Sequence, residues 1–134
     1  MNTNELRRGN LIFEDVLSTC TVESVFNNKL EVSVPNGKTD GTINKRWFIM
    51  DSYNFRPIPL TEEWLLDLGF EYFKANNSYQ LDTNLGFCIW GRIKDGFMIF
   101  VNSDEIGIKI TTVHQLQNLY FALTKKELTQ KNLA

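Results

Sequence analysis

The segment Pro57-Ile58-Pro59-Leu60-Thr61-Glu62-Glu63-Trp64-Leu65-Leu66-Asp67-Leu68-Gly69-Phe70 constrains this chain more than any other. Two prolines one residue apart stiffen the backbone and cannot donate to a sheet ladder, so no central strand runs through them. Thr61 then offers a hydroxyl that accepts from an orphan N–H of a helix's first turn. Glu62 and Glu63 put negative charge at the positive end of the helix dipole. Gly69 supplies a left-handed residue to close the helix, and Phe70 the apolar contact that accompanies such an end. The apolar rhythm differs on the two sides of this junction. We therefore expect a mainly β, α+β protein: a small SH3-like β-barrel over 1–57, then an α+β domain over 58–134 whose antiparallel meander sheet is covered by two helices.

The first side reads as short strands. Leu11 to Leu17 and Cys20 to Phe26 are followed by Asn27-Asn28, a two-residue turn made from a residue that tolerates positive φ. From Lys29 to Val34 the residues Leu30, Val32 and Val34 alternate with Lys29, Glu31 and Ser33, the period of a half-buried strand. A loop over Pro35 to Gly41 precedes Ile43 to Met50 and Tyr53 to Ile58. Five short strands bury little as a flat sheet, which is the reason for expecting a barrel. On the second side, Phe70 to Ala75, Ser78 to Asp82, Gly86 to Ile93 and Phe97 to Val101 read as strands. Asn76-Asn77 and Lys94-Asp95-Gly96 are the turns between them. Ile106, Ile108 and Ile110 alternate with polar neighbours. Thr112-Val113-His114-Gln115 has the spacing of a capping box, and Leu116, Leu119, Tyr120 and Leu123 form one apolar stripe. Thr124-Lys125-Lys126-Glu127 repeats the box and predicts a further helical turn.

Composition narrows the function classes. The 134 residues are 43% hydrophobic and 22% charged, a folded balance. A formal charge of -2 gives no global attraction to polyanions. Residues 1–57 hold seven basic and seven acidic side chains, so the excess acid lies beyond them. Cys20 and Cys88 sit in apolar strand-like runs and read as buried free thiols of a reducing compartment. A disulfide between the halves has no support from spacing. The N-terminus lacks the apolar core of a signal peptide and no run is long enough to span a bilayer, so the expected setting is cytoplasmic, with no membrane.

Three blocks carry a resemblance. Glu5-Leu6-Arg7-Arg8-Gly9-Asn10, then Pro57-Ile58-Pro59-Leu60-Thr61-Glu62-Glu63-Trp64-Leu65, then Val113-His114-Gln115-Leu116-Gln117-Asn118-Leu119-Tyr120-Phe121-Ala122-Leu123-Thr124 follow one another across nearly the whole chain. Together they resemble an uncharacterised family of small proteins from gut Bacteroidales bacteria and their phages and integrated elements. That resemblance implies a mobile-element origin and a cytoplasmic setting, and it carries no site residue.

No catalytic, metal or cofactor signature is found, so we expect a non-enzymatic protein without a cofactor. His114 is the only histidine, and no Ser or Cys has nucleophile context. Glu62-Glu63 follows from helix polarity, and Asp104-Glu105 lacks calcium-loop spacing. His114, Asn118, Phe121 and Lys125 share the helix face opposite the apolar stripe. That face is either solvated or a contact surface for a partner or for the other half. Trp90, Met98 and Phe100 lie on a sheet face that needs a cover, either the barrel or a second subunit. Arg7 and Arg8 with Lys45, Arg46 and Trp47 are the basic clusters beside aromatics, which would bind nucleic acid if the barrel placed them on one rim. The competing reading makes Trp47 a core residue. The expected function is protein–protein contact by a binding or adaptor protein, through a partner or a homo-oligomer; the alternative is a nucleic-acid-binding module.

Overall fold

Alternation and turn chemistry in the first 57 residues give five strands, β1 (Leu11–Glu14), β2 (Ser18–Phe26), β3 (Lys29–Pro35), β4 (Ile43–Ile49) and β5 (Phe55–Pro57). A computed structural model describes residues 3–35, 43–49, 53–75, 78–81, 87–91, 97–101 and 104–130. Of the loop expected over Pro35 to Gly41, Pro35 is the last residue of β3 and 36–41 fall outside them, as do the turns at Asn76-Asn77 and Lys94-Asp95-Gly96. The five strands form one antiparallel sheet in the order β4-β3-β2-β1-β5. Asn27 takes a left-handed φ of 54° and closes the β2–β3 hairpin at the pair Phe26↔Lys29. The β1–β2 turn is held from inside: the Glu14 carboxylate accepts from the backbone N–H groups of Val16 and Leu17, each at 2.7 Å. Glu14 is buried because it is the turn's acceptor.

The sheet's inner face carries Ile12, Cys20, Val22, Leu30, Val32, Phe48 and Phe55, joined by Leu6. Each such side chain stabilises the fold by roughly 1.5–3 kcal/mol relative to exposure. The expected barrel is corrected here to a five-stranded antiparallel sheet that is not closed. Among the described residues β4 and β5 share no ladder. The physical reason lies in β5, which has three residues, pairs only with β1 and ends in Pro57, which has no N–H to donate. Side chains meet where the backbones do not pair: the Phe48 ring lies edge-on to Tyr53 at 4.6 Å and to Phe55 at 5.8 Å.

The proline junction then opens α1 (Glu62–Asp67), with Thr61 Oγ1 accepting from Trp64 N at 3.2 Å. Gly69 (φ 98°) closes it, its N–H donating to the Leu66 carbonyl and that of Phe70 to the Leu65 carbonyl. Phe70 is buried, as its place in such a cap predicts. A second antiparallel sheet follows: β6 (Glu71–Phe73), β7 (Ser78–Gln80), β8 (Phe87–Gly91), β9 (Phe97–Val101) and β10 (Asp104–Ile110), in the order β10-β9-β8-β7-β6. Tyr79, Phe97, Ile99 and Ile110 are buried, as are Leu65 and Leu68 of the preceding helical segment. Ile110 is buried and Lys109 exposed, in keeping with alternation.

The last helix, α2 (Val113–Thr124), corrects the expected division. The chain forms two compact units, unit 1 from Met1–Ile58 with Val113–Glu127 and unit 2 from Pro59–Thr112 with Leu128–Ala134. The helix expected to cover the second sheet thus belongs with the first. Gln117 explains why. It is fully buried, its Oε1 accepts from Leu11 N at 2.8 Å and its Nε2 donates to the Gly9 carbonyl at 3.0 Å. Both are backbone groups, one at the first residue of β1 and one just before that strand, and such groups need partners once buried. The further helical turn expected at Thr124 does not form. Lys125 adopts φ 62°, and Thr124 Oγ1 donates to the Tyr120 carbonyl and accepts from Lys126 N. Leu123, placed in the apolar stripe by periodicity, is 39% exposed.

Candidate binding surfaces

The polar face of α2 and the N-terminal segment form one network within unit 1. Asn118 Oδ1 accepts from Asn10 Nδ2 at 2.8 Å and from Arg7 Nε at 3.2 Å, while its Nδ2 donates to the Glu5 carbonyl at 2.8 Å. The Arg7 guanidinium pairs with both carboxylate oxygens of Glu127 and lies 4.1 Å from the Phe121 ring centroid. Gly9 makes room for this pair: at φ 94°, an added Cβ would sit 2.8 Å from Glu127 Oε2. His114 is 1% exposed, and neither ring nitrogen has a hydrogen-bond partner among the described residues. Its Nε2 lies 3.5 Å from Glu5 Oε2. Burial holds the imidazole below its ordinary pKa, with the Glu5 carboxylate opposing.

The predicted solvated or partner-binding face of His114, Asn118 and Phe121 is therefore occupied inside the chain. The first and third resemblance blocks are the two sides of this contact. Arg7 is withdrawn from any phosphate-binding rim by the same bonds. Arg8 is exposed. Cys20 is a buried free thiol whose pKa is pushed up to about 11, first by burial and then by the Glu14 carboxylate, so it is protonated and unreactive at neutral pH.

Trp47 does not enter the core. Register pairs Leu30 with Phe48 and Glu31 with Trp47, so Phe48 points inward and Trp47 outward. Arg46 pairs with Val32 on the opposite face from Trp47, which separates the members of the expected basic rim. A shift of register between Val22 and Ser24 then turns the end of β2 over. Val25 joins the inner face and Phe26 the outer one, beside Lys29. Phe26 (64% exposed), Trp47 (50%) and Ile49 (45%) thus share the outer face of the sheet. A groove of about 620 Å³ is lined by Ser24, Val25, Phe26, Lys29 and Trp47. Carboxylates nearby are engaged: Glu31 accepts from Ser24 Oγ at 3.2 Å, and Glu23 accepts from Ser33 Oγ at 2.8 Å and pairs with Lys45 at 3.6 Å. Sequence reasoning did not single out Phe26, because without the bulge it would share the face of Val22.

On unit 2, the register aligns Trp90 with Met98 and Ser78, and Cys88 with Phe100. The side chains of Trp90, Met98 and Cys88 lie outside the described residues; Phe100 is half-buried. All three residues of β6 are exposed, with Tyr72 at 46% and Phe73 at 41%, and Leu66 of α1 is exposed at 47%.

No protein-family model, curated protein or solved structure matches the chain. Among the described residues no group of three metal-ligating side chains converges, and no helix is long and apolar enough to cross a membrane.

Proposed function

We propose that this is a small non-enzymatic binding protein, acting in the cytoplasm through protein–protein contact from the outer face of β2–β4. The family resemblance supports an origin in a phage or integrated element of gut Bacteroidales bacteria. The observation that carries the binding reading is the exposed cluster Phe26, Trp47 and Ile49, of which Phe26 and Trp47 line a groove. Single exposed apolar residues are ordinary, but three on one sheet face, with the two aromatic ones lining a concavity, are the anchor type found at the centre of interfaces. We also read unit 1 as SH3-like, supported by a fifth strand that returns beside β1 and by the Phe48–Phe55 contact.

Nucleic-acid binding is the second reading, favoured by Lys29 beside Phe26 and Trp47 in the groove, since bases stack on exposed aromatics while cations meet phosphate. The full chain immobilised as bait separates the two. The first reading expects a retained protein that survives nuclease and is lost in Trp47→Ala. Retention of DNA or RNA that weakens steeply with salt, with no protein retained after nuclease, would replace it by the second.

A further inference from the structure

We propose that residues 3–10 form an acid-released strap on α2, and that protonation of His114 is what releases it. The device lies within unit 1 and is independent of the outer-face reading, whose test turns on Trp47. The strap crosses successive turns of the helix. Glu5 Oε2 lies 3.5 Å from His114 Nε2, the Glu5 carbonyl accepts from Asn118 Nδ2, and Arg7 reaches both Asn118 Oδ1 and the Phe121 ring. Gln117 holds the far end through the Gly9 carbonyl and Leu11 N. Leu6, buried in the sheet's inner face, keeps the released form a minor population at neutral pH. Among these groups the imidazole is the side chain whose type titrates between pH 5 and 8, and it is the only one in the chain.

The geometry around the ring accepts a neutral imidazole and not a charged one. An imidazolium donates from both nitrogens. On the Nε2 side Glu5 can receive a proton bond, but on the Nδ1 side no acceptor lies within reach among the described residues. A proton taken up in place therefore leaves a charged donor buried and unpaired. Glu5 offsets little of this, because its side chain is 57% exposed and its field is screened by water. The charges that act on the ring are that carboxylate and the α-amino group of the chain, and the latter opposes a second positive charge. α2 itself holds no Asp, Glu, Lys or Arg. Past its end, the Glu127 carboxylate is engaged by Arg7. On β1, which packs on α2, the Glu14 carboxylate is held by Val16 N and Leu17 N. Once the strap is off, the ring meets water and recovers its ordinary affinity for a proton. Acid thus favours the released form, which uncovers the helix face of His114, Asn118 and Phe121.

Amide hydrogen exchange of the full chain at about pH 7 and about pH 5.5, corrected for intrinsic rates, tests this. The Leu11 amide, bonded to Gln117, and the Gly9 amide, bonded to the Val22 carbonyl, report release. Both should exchange faster than the β2–β3 ladder at either pH, which shows that the strap opens without unfolding of the sheet. On acidification their protection should fall by up to about eightfold, the gain of a freed ring that titrates near 6.5 over one that stays neutral. His114→Leu should abolish that fall, and Glu5→Gln should keep it. Proton NMR of the single histidine reads the trigger in wild type, so the test does not depend on a variant folding: its midpoint should lie below 6.5. A midpoint above 6.5, or protection that holds or rises in acid, overturns the proposal. So does a fall that persists in His114→Leu or vanishes in Glu5→Gln. If Leu11 and Gly9 exchange no faster than the ladder, the strap leaves only with the whole of unit 1, and the proposal falls as well.

Discussion

The helices α1 and α2 end in the same left-handed backbone conformation by different means. In unit 2, α1 is closed by Gly69 at φ 98°, with Phe70 buried behind it. In unit 1, α2 is closed by Lys125 at φ 62°, a residue with no preference for the left-handed region. The surroundings of Lys125 impose what its side chain does not favour: Thr124 bonds on both sides, and two residues on Glu127 is tied to Arg7 across 120 positions of sequence. The helix of unit 2 is thus specified locally, and that of unit 1 by contacts between segments far apart in sequence.

The largest effects should test whether the units respond separately. Leu30→Ala in unit 1 and Leu65→Ala in unit 2 each remove a fully buried side chain, at an expected cost of about 3 kcal/mol. Native-state hydrogen exchange should show each loss concentrated in its own unit; equal loss in both would break the comparison. Gln117→Leu comes next. It strips partners from Leu11 N and the Gly9 carbonyl, so unit 1 should lose about 2 kcal/mol and the Leu11 amide its protection. The two helix ends should then respond with opposite signs. Gly69→Ala should cost about 1–2 kcal/mol, whereas Lys125→Gly should gain up to about 1 kcal/mol, read as urea midpoints.

The smallest expected effect concerns pH. Because burial depresses the His114 pKa below 6.5, the unfolded chain takes up this proton more readily. Stability from His114 is present above pH 6.5 and is lost as pH falls through the folded-state value. His114→Leu should flatten the melting temperature of unit 1 between about pH 7 and about pH 5; an unchanged slope would show that other groups govern it.

These contrasts also explain what was legible in the sequence. Thr61, Gly69 and Phe70 state their roles through local chemistry, and the structure gives each the predicted place. Asn27 does the same for its hairpin. The destination of α2 was not legible, since an apolar stripe marks a buried face without naming what buries it. His114 and Gln117 share that burial because the N-terminal segment lies over them, which no period reveals. The candidate site failed to show for a related reason. Strand alternation leaves open which of Trp47 and Phe48 faces inward, and one extra residue near Glu23 reverses the face of Phe26.

A split first unit has a consequence for how the protein is made. During synthesis β1–β5 leave the ribosome well before α2, the helix that supplies Gln117 to Leu11 and Gly9. The intervening residues of unit 2 emerge complete up to Thr112 in the meantime. The usual order, in which the portion made first matures first, is thereby inverted: β1–β5 wait, with Leu11 N and the Gly9 carbonyl lacking Gln117, until unit 2 up to Thr112 and then α2 have been made. Completion of the first unit therefore follows the synthesis of most of the second.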